Sequence, residues 1–282
     1  MKSVPFFPQE KNQCGPAALA SVLSASGVPV TPEQLSPMVY LPKKGGSLQK
    51  EIIAACRRYG RIPYQIDHEI SNLAGELREG RPILVLTNLG LSYLPLWHYA
   101  VVIGYDLEKD CFLLRSGDNP RESVPARVFF RTWKRAECWG IVALPPGEIP
   151  FRANPHAYLQ AVADIEEKGM FKEARISYES ALRKWPDHPI ALFGLGNAAY
   201  AMGDLSASEM AFRRAYSIKP ENPVVVNNLS MVLNDLGKRQ EAISMISKAL
   251  ASNTLSEDLR QLLLQTRDEI KKQIGADLNA PH

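Results

Sequence analysis

Gln9-Glu10-Lys11-Asn12-Gln13-Cys14-Gly15-Pro16-Ala17-Ala18-Leu19 is the stretch whose reading decides the N-terminal fold. A cysteine stands directly before Gly-Pro and an Ala/Leu-rich helical run. With a helix starting at Gly15 or Pro16, Cys14 lies at its N-terminus. Unpaired backbone N–H groups and the helix dipole favour a thiolate there. Gln9, five residues upstream, brings an amide able to donate to an oxyanion. A thiolate nucleophile beside such a donor is the equipment of acyl transfer.

That nucleophile needs a base, and the base an orienting group. The chain has five histidines. His68 lies in the polar run Asp67-His68-Glu69, His156 and His188 fall in the C-terminal half, and His282 ends the chain. His98 opens Trp97-His98-Tyr99-Ala100-Val101-Val102-Ile103-Gly104-Tyr105, an apolar strand followed by a turn, which places its ring on rigid structure. The next strand, Cys111–Ser116, runs into Gly117-Asp118-Asn119-Pro120. If the two strands form a hairpin about Asp106–Asp110, Asp118 comes beside His98 and can accept from the imidazole. Read alone, Asp118-Asn119-Pro120 is an ordinary turn signal.

These motifs resemble the bacteriocin-processing, or double-glycine leader, peptidase family and its wider papain-like relatives, over about residues 4–144. The resemblance rests on Gln-x-x-x-Gln-Cys-Gly-Pro-Ala-Ala-Leu, His-Tyr-Ala-Val-Val-Ile-Gly-Tyr and the later Asp-x-Pro. It implies Cys14 as nucleophile, His98 as base and Asp118 as orienter. The family's oxyanion glutamine usually lies six residues before the cysteine, where this chain has Pro8. Gln9 is therefore the first choice for the oxyanion hole and Gln13 the alternative. Gln13 also replaces the aspartate that commonly precedes the family's cysteine.

Around these motifs, residues 1–148 mix short helices with strands. Helices are expected at Pro16–Ala25, Pro32–Ser36, Ser47–Tyr59 (with Ser47 as N-cap) and Glu69–Glu79. Strands are expected at Ile62–Ile66, Pro82–Asn88, His98–Tyr105, Cys111–Ser116 and Gly140–Ala143. Helices followed by a run of strands indicate an α+β, papain-like domain with helices packed on an antiparallel sheet.

Pro145-Pro146-Gly147-Glu148-Ile149-Pro150 breaks any helix, and residues 149–154 read as a stiff linker. Beyond it the sequence repeats every 34 residues: Pro155, Pro189 and Pro223; Gly169, Gly203 and Gly237; Ala181, Ala215 and Ala249. Small residues recur at Ala174, Ser208 and Ala242, large ones at Tyr178, Phe212 and Ile246. This register resembles the tetratricopeptide repeat, a helix–turn–helix unit. Three repeats (155–188, 189–222, 223–256) and a capping helix at Leu255–Ile274 give an all-α solenoid over 155–282. Val162 stands where a small residue is usual, and Thr254 where a proline closes the repeat.

Composition excludes several classes. Hydrophobic residues make up 45% and charged residues 22%, which argues for a globular protein over disorder. A net charge of +3 without long basic runs argues against nucleic-acid binding. No apolar run reaches the ~18 residues of a membrane span, and no Gly-x-x-x-x-Gly-Lys-Ser/Thr phosphate loop is present. Cys56, Cys111 and Cys138 read as small hydrophobes and lack zinc spacing, so neither metal nor cofactor is expected. The expected partners are a peptide or protein substrate and a protein on the repeat groove. As the sequence stands the protein is expected in the cytoplasm. If an export segment before the motif has been removed, the periplasm or a lipid anchor in the cell envelope is expected.

The function that follows is a cysteine peptidase working through a Cys-His-Asp triad and an acyl-enzyme, with a repeat domain for substrate or partner. Two alternatives stay open: a non-catalytic binding adaptor, and an acyltransferase using the same triad.

Overall fold

A computed structural model describes residues 4–9, 12–252 and 255–278. Thr254 and His282 lie outside them. The chain divides into two compact units, Met1–Lys168 and Gly169–His282.

The first unit opens with α1 (Cys14–Ala25) and α2 (Pro32–Val39). The short strands β1 (Tyr40–Leu41) and β2 (Gly46–Ser47) pair with each other, and α3 (Gln49–Arg58) follows. Then come β3 (Ile62–Gln65), α4 (Ile70–Arg78), β4 (Ile83–Asn88), β5 (Trp97–Asp106), β6 (Cys111–Ser116) and β7 (Asn119–Pro125). Helix α5 (Ala126–Lys134), β8 (Gly140–Leu144) and α6 (Pro155–Glu166) complete the unit. Six strands form one antiparallel sheet in the order β3-β8-β4-β5-β6-β7. The expected α+β architecture is borne out.

Alternation along the strands sorts side chains between the two faces. Leu84, Leu86, Tyr99, Val101 and Ile103 join Leu19 and Leu23 of α1, Leu35 of α2 and Ile52 of α3 in one core. The alternate residues Ile83, Val85, Ala100 and Val102 are equally buried outside that cluster, as are Leu73 of α4 and Phe129 and Trp133 of α5. Helix α1 thus runs across one face of the sheet and aims its N-terminus at the end where β5 starts and β6 finishes.

Ser47 does not cap α3. Leu48 occupies the N-cap, and Ser47 belongs to β2, close against the start of α1. Besides the short β1–β2 pair, two elements absent from the sequence reading appear. Strand β7 is a polar run without hydrophobic alternation, and α5 is an amphipathic helix burying Phe129 and Trp133. Residues 149–154 are anchored rather than free. The Phe151 N–H donates to Glu76 Oε1 at 2.6 Å, its ring lies on Gly75, and the Asn154 N–H donates to the Tyr64 hydroxyl at 3.1 Å. Helix α6 packs with this unit through β3 and an Arg57–Asp164 ion pair.

The second unit is all helical: α7 (Phe171–Lys184), α8 (Pro189–Ala201), α9 (Leu205–Ile218), α10 (Pro223–Asp235), α11 (Arg239–Leu250) and α12 (Glu257–Leu278). Gly169, Gly203 and Gly237 take φ of 78°, 78° and 75°, the left-handed conformation expected of the residue that ends each first helix. Pro189 and Pro223 sit at N1, where the missing N–H costs nothing. The small positions Ala174, Ser208 and Ala242 are fully buried, and Tyr178 and Phe212 fill the space between helices, against Gly194 and Gly196. Helix α12 closes the stack with Leu263 and Ile270 in the core and a Thr266–Asn227 hydrogen bond of 2.7 Å.

Candidate active site

Cys14 is the first residue of α1 and is half-buried. The glycine after it has a packing reason. A Cβ on Gly15 would come within 2.3 Å of Ser47 Oγ, so only glycine lets β2 close on the helix start. Gln13, the N-cap residue, does not use its side chain for capping. Its amide oxygen instead accepts from Ser36 Oγ of α2 at 3.1 Å.

Gln9 ties the segment before α1 to the sheet end. Its backbone N–H donates to Gly117 O at 3.2 Å, and its amide Nε2 lies 3.5 Å from Tyr99 O. These are the residues directly after Ser116 and His98. Tyr99 faces α1, rests edge-on against Trp139 with centroids 5.9 Å apart, and donates its hydroxyl to Ser47 O at 3.4 Å. Burial, and then the neighbouring Cys14 sulfur, push its phenol above the usual range. Tyr99 is therefore the contact between the helix start and the base strand.

His98 alternates with Tyr99 and shares the opposite face with its register partner Thr87, whose Oγ1 donates to His98 O at 3.1 Å. The imidazole Nε2 lies 3.0 Å from Ser116 Oγ. Burial lowers the His98 pKa, and Glu122 of β7 opposes that shift. Among the described residues no hydrogen bond joins His98 to Cys14 or to Asp118.

The position of Asp118 has a physical cause. Register along β5 and β6 pairs Val102 with Leu114 and Val101 with Arg115, which carried onward would set Asp118 opposite His98. The chain leaves β6 first. Gly117, at φ 56°, turns it, and Ser116 pairs with Asn119 to start β7. Asp118 stands exposed at the tip of that turn. The residue missed from sequence is Ser116. Its signal was its place on the face of β6 shared with His98, but using it required knowing where β6 stops.

Two cavities lie beside neighbours of these residues, and neither is lined by Cys14 or His98 themselves. One, of about 440 Å³, is walled by Ser47, Leu48, Leu86, Trp97 and Tyr99, with Arg135 at its edge. The other, of about 600 Å³, lies toward α2 and is walled by Pro8, Gln13, Ala17, Ser36 and Tyr40. The sheet end offers a thiol at a helix start, a half-buried imidazole on a rigid strand and an amide donor. That set suits nucleophilic acyl chemistry. Among the described residues no cluster of His, Cys, Asp and Glu could hold a metal ion.

The model of the Peptidase_C39 like family matches residues 1–139, which contain every element of this site. Residues 1–139 are a Peptidase_C39-like domain. A tetratricopeptide repeat model matches residues 166–223, so repeats of the kind that bind other proteins follow the Peptidase_C39-like domain. Two curated proteins are similar over shorter stretches. Protein CTR9 homolog of Arabidopsis thaliana is 24% identical over 98 residues, 33% of this chain and 9% of that protein. Protein FlbA of Caulobacter vibrioides is 31% identical over 88 residues, 31% of this chain and 15% of that protein. The chain thus spans a small fraction of both relatives' length. Similar solved structures include the Sgt2 TPR domain from Aspergillus fumigatus, at 18% identity and TM-score 0.37, covering 44% of this chain and 82% of that one. Another is MamA, at 15% identity and TM-score 0.34, covering 45% and 82%. No helix among the described residues is long and apolar enough to cross a membrane.

Proposed function

We propose that the protein is a cysteine peptidase. In this reading Cys14 is the nucleophile and His98 the general base and acid. Gln9 is the oxyanion donor, and the repeats recruit a protein substrate or partner. The observation that carries it is the convergence on one sheet end: Gln9 bonds at once to the residue after His98 and to the residue after Ser116, while Cys14 sits beside Tyr99. His98 is the second residue of β5, at the sheet end that the start of α1 faces, so the thiol must reach the imidazole round that end rather than across one face. Catalytic hydrogen bonds in unliganded enzymes are often long and tighten on substrate.

The chemistry runs as acyl transfer. The Cys14 thiol gives its proton to His98 and the sulfur attacks a peptide carbonyl. The Cys14 backbone N–H and the Gln9 amide stabilise the tetrahedral oxyanion. His98 returns the proton to the leaving amine, and water then releases the acyl group. Gln13 stays the alternative oxyanion donor because its side chain is held toward α2, its amide oxygen accepting from Ser36 Oγ, whereas the Gln9 amide lies on the strand that carries His98. Asp118, exposed at its turn, supplies the family's third member only by rearranging. The apolar wall of Leu86, Trp97 and Tyr99 suits an apolar substrate side chain next to the scissile bond.

Cys14→Ala tests the reading with a casein-type or lysate-derived peptide pool. Turnover is expected in the wild type and none in the variant. Equal turnover by both would end the assignment. Loss of one oxyanion donor in Gln9→Ala should slow turnover about 100-fold or more. The missing Cys14–His98 hydrogen bond favours one other reading, a binding adaptor on a peptidase fold. Absence of wild-type turnover on every peptide, together with capture of an intact protein, would support it.

A further inference from the structure

We infer that Ser116 is the positioning residue for His98, in the place where the sequence pattern points to Asp118. The inference rests on the assignment of Cys14 and His98 above.

Three observations carry it. The Ser116 hydroxyl is the hydrogen-bond partner of the imidazole, 3.0 Å from Nε2. Ser116 is placed by strand register, since Leu114 pairs with Val102 and strand alternation puts Ser116, Ala100 and His98 on one face. Asp118 has been carried away by the turn at Gly117 and is exposed. The backbone of His98 is fixed as well, by its pairing with Thr87 and by the Thr87 hydroxyl on its carbonyl. Ser116 therefore acts on a ring whose main chain is held in the sheet by its pairing with β4.

The hydroxyl accepts from Nε2–H, which leaves the Nδ1 lone pair as the one that takes a proton. When the Cys14 S–H bond breaks, its proton forms the Nδ1–H bond and Nε2–H stays on Ser116. No group beyond the three changes protonation. A hydroxyl, unlike a carboxylate, can also donate, so it fixes the tautomer less strictly. It carries no charge, and the negative field on the ring comes from Glu122, whose register partner Leu114 lies on the same face.

Two readouts test this on the whole chain. The first is the rate of Cys14 alkylation by iodoacetamide between pH 5 and 9, followed by intact mass. Ser116→Ala should lower the rate at pH 6 about tenfold, the size of one hydrogen bond of this kind. Ser116→Thr should restore it, and Asp118→Asn should stay within twofold of wild type. The second is nitrogen-15 NMR of the His98 ring in Cys14→Ala protein, which needs no reactive thiol. It should report the Nε2–H tautomer, turning to a mixture when Ser116→Ala is added. An unchanged ring spectrum in Ser116→Ala overturns the inference, as does a larger effect from Asp118→Asn than from Ser116→Ala. If wild-type Cys14 alkylates like an ordinary thiol but the ring responds to Ser116, the peptidase reading fails while the role of Ser116 in holding the ring stands.

Discussion

At His98, burial works against the charged ring, and the Glu122 carboxylate only partly offsets it. The folded protein therefore binds this proton more weakly than the unfolded chain, whose histidine titrates near 6.5. The sign follows from linkage. The contribution to stability is complete above pH 6.5 and falls as pH drops below it toward the folded value. Urea denaturation at pH 7.5 and 5.5 should show a larger acid loss for wild type than for His98→Gln, which keeps a polar group but does not titrate. Equal losses would mean that burial of this ring carries no proton penalty. The same depression keeps the imidazole neutral at physiological pH, the form required of a base that takes the Cys14 proton.

Among the elements, two glycines oppose helix propensity to packing. Alanine is favoured over glycine inside a helix by about 1 kcal/mol. At Gly75 of α4, however, a Cβ would lie 2.0 Å from the Phe151 ring, and at Gly194 of α8 it would lie 2.2 Å from the Tyr178 ring. Overpacking of that kind costs about 1–3 kcal/mol. Gly75→Ala and Gly194→Ala should each lower the denaturation midpoint, against the propensity trend. Adding Phe151→Ala to Gly75→Ala should recover part of the loss beyond additivity, because the two residues touch. A stabilised Gly75→Ala protein would show that Phe151 is not seated there.

Elements whose signal is local were legible from sequence. Helix α1, strands β5 and β6 and the 34-residue repeat all announce themselves through apolar runs and recurring small, large and turn residues. Strand β7 was not legible. Asn119-Pro120-Arg121-Glu122-Ser123 has neither alternation nor apolar content, and its existence shows only in its pairing with β6. Missing it had one consequence at the site. Without β7 the chain has no reason to turn at Gly117, and Asp118 was set beside His98 in place of Ser116. Ser47 illustrates the same limit. A serine before a helical run reads as a cap, but the close approach of β2 to Gly15 claims it for another role.

For the whole molecule, the proposed reading gives the chemistry to the Peptidase_C39-like domain and protein binding to the tetratricopeptide repeats. In the second unit, Asn197, Tyr200, Phe212, Asn228 and Met231 line a cavity of about 200 Å³, with the Asn228 amide donating to Asn197 Oδ1 at 2.9 Å. Paired amides beside apolar side chains suit an extended peptide, whose backbone needs both donors and acceptors. Asn197→Ala with Asn228→Ala should weaken capture of a protein substrate by Cys14→Ala protein and leave hydrolysis of a short peptide unchanged. Equal loss of both would place the substitutions' effect on folding rather than recruitment.

The pairing of Cys14 with His98 is tested most directly by adduct mapping with a peptidyl chloromethyl ketone, read by mass spectrometry at pH 6.5. The chain offers its own controls, because Cys56 and Cys111 are buried and burial raises the Cys56 thiol to about 12 and the Cys138 thiol in the same direction. The account predicts a single adduct, on Cys14, forming at least about 100-fold more slowly in His98→Ala. Modification of Cys138 at a similar rate, or a Cys14 rate indifferent to His98→Ala, would contradict it.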